Sequence, residues 1–264
     1  MSTPLPSATR VCKPVLRVAP AVFAGYRALH IQEAKYTEKA LREVPAEVAV
    51  WYRYLSLFDR TLRREHESPF DLDSDAHVPF WMRLSFMSAA AGTAKLALDA
   101  ALAGYYSQAF ALIRHLLETW LQMVYVRLNN RAAPRWFSSD GIKEPQQPNP
   151  NTVINGIKRL GKKEKGLLHN VEEVERLLQR LNKGAHPSAL AVTQTETDNP
   201  EFRQLAANYD YELFRETWST GTVAIAMLLH EIADTVTANE VWWDEFRSIR
   251  ADRLHCFGPE WADE

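Results

Sequence analysis

From Tyr105 to Leu128 the apolar residues Tyr106, Phe110, Ile113, Leu117, Trp120, Leu121, Val124 and Leu128 recur every three or four positions, so one face of a helix is continuously apolar. Similar stripes run through three further segments. Trp81 to Ala103 carries Ala89, Ala90, Ala91, Gly92, Ala94, Ala97 and Ala101, small side chains that let a neighbouring helix approach closely and predict a central helix. Gly166 to Lys183 places Leu167, Leu168, Val171, Val174, Leu178 and Leu181 on one side, with Glu172, Glu175, Arg176 and Gln179 on the other. Ala206 to Val236 aligns Leu213, Phe214, Trp218, Gly221, Ile225, Leu228, Leu229, Ile232 and Val236. A helix with an apolar stripe must bury it against a partner, so these segments predict an all-α fold with a four-helix up-and-down bundle core. Glycine is scarce, at 10 of 264 residues, and alternating strand patterns bounded by turn dipeptides are hard to find.

The rest of the chain is arranged around that core. Residues 1–20 read as a flexible N-terminal tail, and residues 21–264 as a single helical domain. Within it, residues 21–67 form two peripheral helices separated at Pro45, followed by a loop through Pro69 that enters the bundle. Residues 81–236 form the core. Pro134, Pro145, Pro148 and Pro150 make 131–150 a Pro-rich connecting loop, because proline removes a helical donor and clashes with the preceding turn. Residues 237–264 make an acidic, aromatic C-terminal segment with Trp242, Trp243, Phe246, Phe257 and Trp261, expected to fold back as a helix on the bundle.

Charge excludes little beyond a global field. Thirty-one basic against 33 acidic side chains draw in neither nucleic acid nor an anionic membrane, so such affinity must come from a local patch. The longest runs free of Asp, Glu, Lys and Arg, Ala100 to Ile113 and Thr217 to His230, fall short of the ~18–20 residues that span a bilayer, so no membrane span is expected. Cys12 and Cys256 are far apart and lack metal spacing, which points to a reducing, cytoplasmic setting.

Motifs for phosphate loops, Cys-x-x-Cys, His-x-x-x-His and Gly-x-Ser-x-Gly are absent, and no Glu-x-x-His pair occurs on the core helices, so no metal or other cofactor is expected. What stands out is Arg180 and His186 at the end of the third core segment. A His can move a 2′-hydroxyl proton near neutral pH, and an Arg can stabilise charge on a pentacoordinate phosphate, which is metal-independent RNA cleavage. With 21 Arg and 8 His, roughly two Arg-x(4 to 6)-His strings arise by chance, and three occur: Arg60 to His66, Arg180 to His186 and Arg250 to His255. Only Arg180 to His186 ends a core helix and faces a segment carrying Arg114 and Glu118.

In those stretches, Tyr105 to Glu118 and Leu181-Asn182-Lys183-Gly184-Ala185-His186-Pro187-Ser188, the chain resembles the HEPN-like superfamily and related bacterial helical families over about Trp81 to Val236. The resemblance implies a four-helix fold that often dimerises. Arg and His of each subunit would then face a shared cleft that cuts single-stranded RNA in toxin and antiviral defence systems. It implies catalytic roles for Arg180 and His186. The residue after the Arg is usually polar in active members; here it is Leu181, with Asn182 one place later. At ~100° per residue Arg180 lies far from the apolar centre of its helix, so it faces water or a partner subunit, which predicts a homodimer.

Arg114, Glu118 and Asn182 are supporting candidates. Arg114 and Glu118, four residues apart, read either as an intrahelical ion pair or as a partly buried pair orienting the Arg180 region. His115 and His230 read as solvated. Lys158, Arg159, Lys162, Lys163 and Lys165 form a basic run that could hold an RNA backbone or simply face water. Two functions remain open: a metal-independent endoribonuclease acting on single-stranded RNA, or a catalytically inactive interaction module that binds a partner protein through its acidic, aromatic end.

Overall fold

Prolines and two polar caps set many of the helix ends. The computed structural model describes residues 20–66, 78–129, 131, 150–185, 209–233 and 238–257. Among these are helices α1 (Pro20–Glu43), α2 (Pro45–His66), α3 (Val78–Leu102), α4 (Tyr106–Leu128), α5 (Pro150–Leu160), α6 (Lys165–Ala185), α7 (Tyr211–Ala233) and α8 (Glu240–Phe257), with no strand among the described residues. The fold is all-α. Pro20, Pro45 and Pro150 open their helices, where a missing N–H costs nothing. Asp210 Oδ1 accepts from the Leu213 amide at 2.9 Å and Asn239 Oδ1 from the Trp242 amide at 3.1 Å, capping α7 and α8. Between α3 and α4 the chain reverses at Gly104, whose φ of 83° favours glycine. The Gly104 and Tyr105 amides donate there to Ala101 and Ala100 carbonyls.

α4 is the hub, packing against α3, α5, α6 and α7. It can do so because it buries side chains around most of its circumference, among them Leu116, Leu117, Trp120, Leu121, Met123 and Val124. The sequence predicts α3 as the central helix. Its buried alanines, Ala90, Ala94, Ala97 and Ala101, admit α4 closely, and the helix also meets α1, α2 and α7, while Leu96 on its outer side is 56% exposed.

One expectation is corrected. Residues 21–67 are not uniformly peripheral, because Trp51, Tyr54 and Phe58 of α2 are completely buried and α2 packs against α3, α7 and α8. The close approach of α2 and α7 depends on Gly221, where an added Cβ would stand 2.9 Å from Trp51 Cζ2 and Cζ3 and nearer still to Cη2. The Trp218 indole N–H also donates to the Glu47 carbonyl at 2.7 Å. By contrast α6 lies on the outer flank of the hub, beside α5, a helix the sequence reading does not foresee.

The C-terminal aromatics do fold back. Trp242 and Phe246 stack at 5.3 Å between centroids, and the Trp242 indole donates to Thr61 Oγ1 of α2 at 2.9 Å. Arg53–Asp252 and Arg60–Glu245 ion pairs clamp α8 along α2. The N-terminal tail, the Pro-rich loop between 132 and 149, and Trp261 lie outside the described residues. No helix among the described residues is long and apolar enough to cross a membrane.

Candidate functional site

The predicted catalytic pair falls at the edge of what is described. Arg180 sits on the last turns of α6 with 69% of its side chain exposed, as its position opposite the apolar stripe requires. Its Nε lies 2.9 Å from Glu216 Oε1 of α7. His186 lies outside the described residues. Asn182, two positions beyond Arg180, is rotated by ~200° and therefore turns to the other side of the helix. There it lines a cavity of about 320 Å³ with Arg114 and Glu118 of α4. The supporting candidates are thus brought together, whereas Arg180 points towards α7.

Within that smaller cavity Arg114 Nε and Glu118 Oε1 are 2.9 Å apart, an intrahelical pair that is partly buried. Asn182 Oδ1 is buried and has no hydrogen-bond partner among the described residues. His115 and His230 are exposed, as expected of side chains away from the apolar stripe.

The basic run divides between structure and surface. Lys158 Nζ reaches Glu175 Oε2 of α6 at 2.7 Å and so holds α5 to α6. Glu164, the acidic residue inside the run, meets Arg127 of α4 at 3.3 Å. Anchored on both sides, the run leaves Arg159, Lys162, Lys163 and Lys165 exposed and without an ion-pair partner among the described residues. Lys165 and Arg180 are separated by four turns of α6, about 22 Å along its axis.

A larger cavity, about 550 Å³, opens between α2, α4, α6, α7 and α8. The sequence reading misses it. At one end Glu231 of α7, only 7% exposed, takes Arg127 Nε at 2.8 Å and Arg83 Nη2 at 3.1 Å. Burial alone would lower the Arg127 pKa, but the Glu231 charge and hydrogen bonds to Glu164 and Glu231 outweigh it and the net shift is upward. At the other end stand Tyr54 of α2 and Arg250 and Arg253 of α8. Burial pushes the Tyr54 pKa up to about 12, so the phenol is neutral at any physiological pH. The available signal was Arg250 and Arg253 themselves, three residues apart and so on one helix face, within an otherwise acidic segment.

Comparison with family models, with curated proteins and with solved structures gives no match. Among the described residues no group of three or more His, Cys, Asp or Glu is placed to hold a metal ion. The half-buried Cys256 is unpaired, and burial pushes its thiol pKa up, away from the reactive thiolate.

Proposed function

We propose that the chain is a HEPN-like endoribonuclease that cuts single-stranded RNA without metal and works as a cytoplasmic homodimer in a defence or toxin system. Arg180 stabilises phosphate charge and His186 acts as general acid and base. The observation that carries this reading is the outward projection of Arg180 from the end of α6, 69% exposed. A guanidinium placed there, paired at the surface with Glu216, stands where an RNA strand or a two-fold partner meets it. Arg159, Lys162, Lys163 and Lys165 supply phosphate contacts at the other end of the same helix. Incubation with single-stranded RNA in EDTA tests the assignment: wild type cleaves, and Arg180→Ala and His186→Ala do not. Equal cleavage by wild type and His186→Ala overturns it.

One observation favours the second reading, an inactive module that binds a partner protein. The Arg180–Glu216 pair occupies the guanidinium that an RNA phosphate would need. Glu216→Gln releases it, and in a ribonuclease this raises cleavage or RNA affinity. In an interaction module it changes neither.

A further inference from the structure

Buried and half-buried cations are retained in proteins when something negative meets them, because an unpaired charge in a low-dielectric site is costly. In the larger cavity Arg127 is matched by Glu164 and Glu231, and Glu231 also by Arg83. Half-buried Arg253 has no carboxylate within ion-pair distance among the described residues, and neither has Arg250, which is exposed but lines the same cavity.

Arg253 is held rather than neutralised. Its Nε donates to Thr222 Oγ1 at 2.8 Å and its Nη2 to the Ser219 carbonyl at 3.4 Å. Its guanidinium carbon lies 4.8 Å from the centre of the Phe257 ring and 6.0 Å from that of Trp218. Two neutral acceptors and two ring faces fix its direction without cancelling its charge. Burial lowers its pKa, and the neighbouring Arg250 acts in the same sense, yet a guanidinium stays protonated. Beside it Tyr54 is 0% exposed, and its hydroxyl has no hydrogen-bond partner among the described residues. A neutral phenol donor and two unmatched guanidinium groups therefore share one end of a cavity whose wall is continued by Trp120, Met227 and Phe246.

We propose that this cavity is a binding site for a small organic oxyanion, a phosphate monoester or a carboxylate carried on a flat apolar body. The oxyanion accepts from Arg250, Arg253 and the Tyr54 hydroxyl, and the body lies against Trp120 and Phe246. The volume, about 550 Å³, falls within the range of small-molecule sites, ~300–1,000 Å³. The site is independent of the RNA-cleaving reading, since none of its residues belongs to the Arg180 region.

The test is isothermal titration of the full chain with phenyl phosphate, benzoate, inorganic phosphate and neutral phenol. Wild type is expected to bind phenyl phosphate or benzoate saturably, more tightly than inorganic phosphate, and to ignore phenol. Preference for phenyl phosphate identifies a phosphate monoester and preference for benzoate a carboxylate. Tyr54→Phe removes only the hydroxyl, so the free protein melts at or above the wild-type temperature while affinity drops roughly 10- to 100-fold, the worth of a hydrogen bond to a charged group. Arg250 is exposed, so Arg250→Gln folds normally and loses affinity by a similar factor. Absence of saturable binding of both aromatic anions to wild type overturns the proposal. So does binding that Tyr54→Phe and Arg250→Gln leave unchanged.

Discussion

Replacing Gly221 by alanine puts a methyl group where α2 and α7 have no room for it. The new Cβ would stand 2.9 Å from Trp51 Cζ2 and Cζ3 and closer to Cη2, whereas carbon atoms rest ~3.5–4.0 Å apart, so ring or helix must move by roughly 1 Å. Trp51 is completely buried and its indole cannot swing into solvent. Overpacking of this kind costs ~1–3 kcal/mol, and a rigid bicyclic neighbour favours the upper end. Against that, alanine in a helix gains ~0.5–1 kcal/mol over glycine. The expected net loss is about 2 kcal/mol, read from the urea midpoint at unchanged slope, or as a melting temperature ~4–8 °C lower. Gly92→Ala is the internal control, since nothing lies within 4 Å of its added Cβ. It should be stabilised by ~0.5–1 kcal/mol. In a Trp51→Phe background the offending atoms are gone, and Gly221→Ala should lose its cost. A Gly221→Ala protein as stable as wild type, or one whose loss adds without coupling to Trp51→Phe, would refute the packing argument.

Glu231→Gln should be among the most damaging single changes, about 3 kcal/mol in chemical denaturation, because it removes the buried negative charge that faces both Arg83 and Arg127; a loss under ~0.5 kcal/mol would mean the network is dispensable. In alkali, Tyr54 has a folded pKa of about 12 against an ordinary value of 10.0. Its raised value supports stability fully below pH 10 and loses that support as pH climbs towards 12. Burial raises Tyr105, Tyr106 and Tyr209 in the same direction. Stability measured across that window should fall, with a shallower slope in Tyr54→Phe, and a flat profile in wild type would contradict the assignment. Neutralising Lys162 and Lys163 to Gln should weaken RNA binding of every sequence about equally and flatten its salt dependence by roughly 1.4 for two contacts on a single strand. Thermal stability should stay within about ±0.5 kcal/mol, and a drop of several kcal/mol would make the run structural.

The helices of the hub were legible because periodicity reports burial directly: the predicted stripe of Tyr106, Phe110, Ile113, Leu117 and Trp120 is the buried face of α4. What periodicity cannot report is which stripe meets which. Nothing in local spacing puts Trp51, Tyr54 and Phe58 inside the core, since their place there depends on Gly221, some 170 residues away. α5 went unforeseen because Asn151, Asn155 and Gly156 are poor helix formers and its apolar stripe, Val153, Ile154 and Ile157, is short. In the fold Gly156 instead lets the Tyr125 ring pack against α5. For the site, the outward position of Arg180 followed from helical phase, but its partner Glu216 did not, since pairing across helices leaves no trace in local spacing. The cavity of Tyr54, Arg250 and Arg253 was hidden for the same reason: its walls come from five helices.

The clamp between α2 and α8 also bears on how the protein is made. Arg53 and Asp252 are 199 positions apart, and Arg60 and Glu245 are 185 apart, so contacts that cover α2 come from a helix far along the chain. During synthesis at ~5–20 residues per second, the face of α2 that meets α8 waits roughly 10–40 s before its partner leaves the ribosome. In that interval Tyr54 and Phe58 lack the α8 side of their enclosure, although α1, α3 and later α7 already pack on α2. A nascent chain of this protein is therefore exposed to chaperone capture and to misassociation at α2, and release of α8 is the event that ends that exposure.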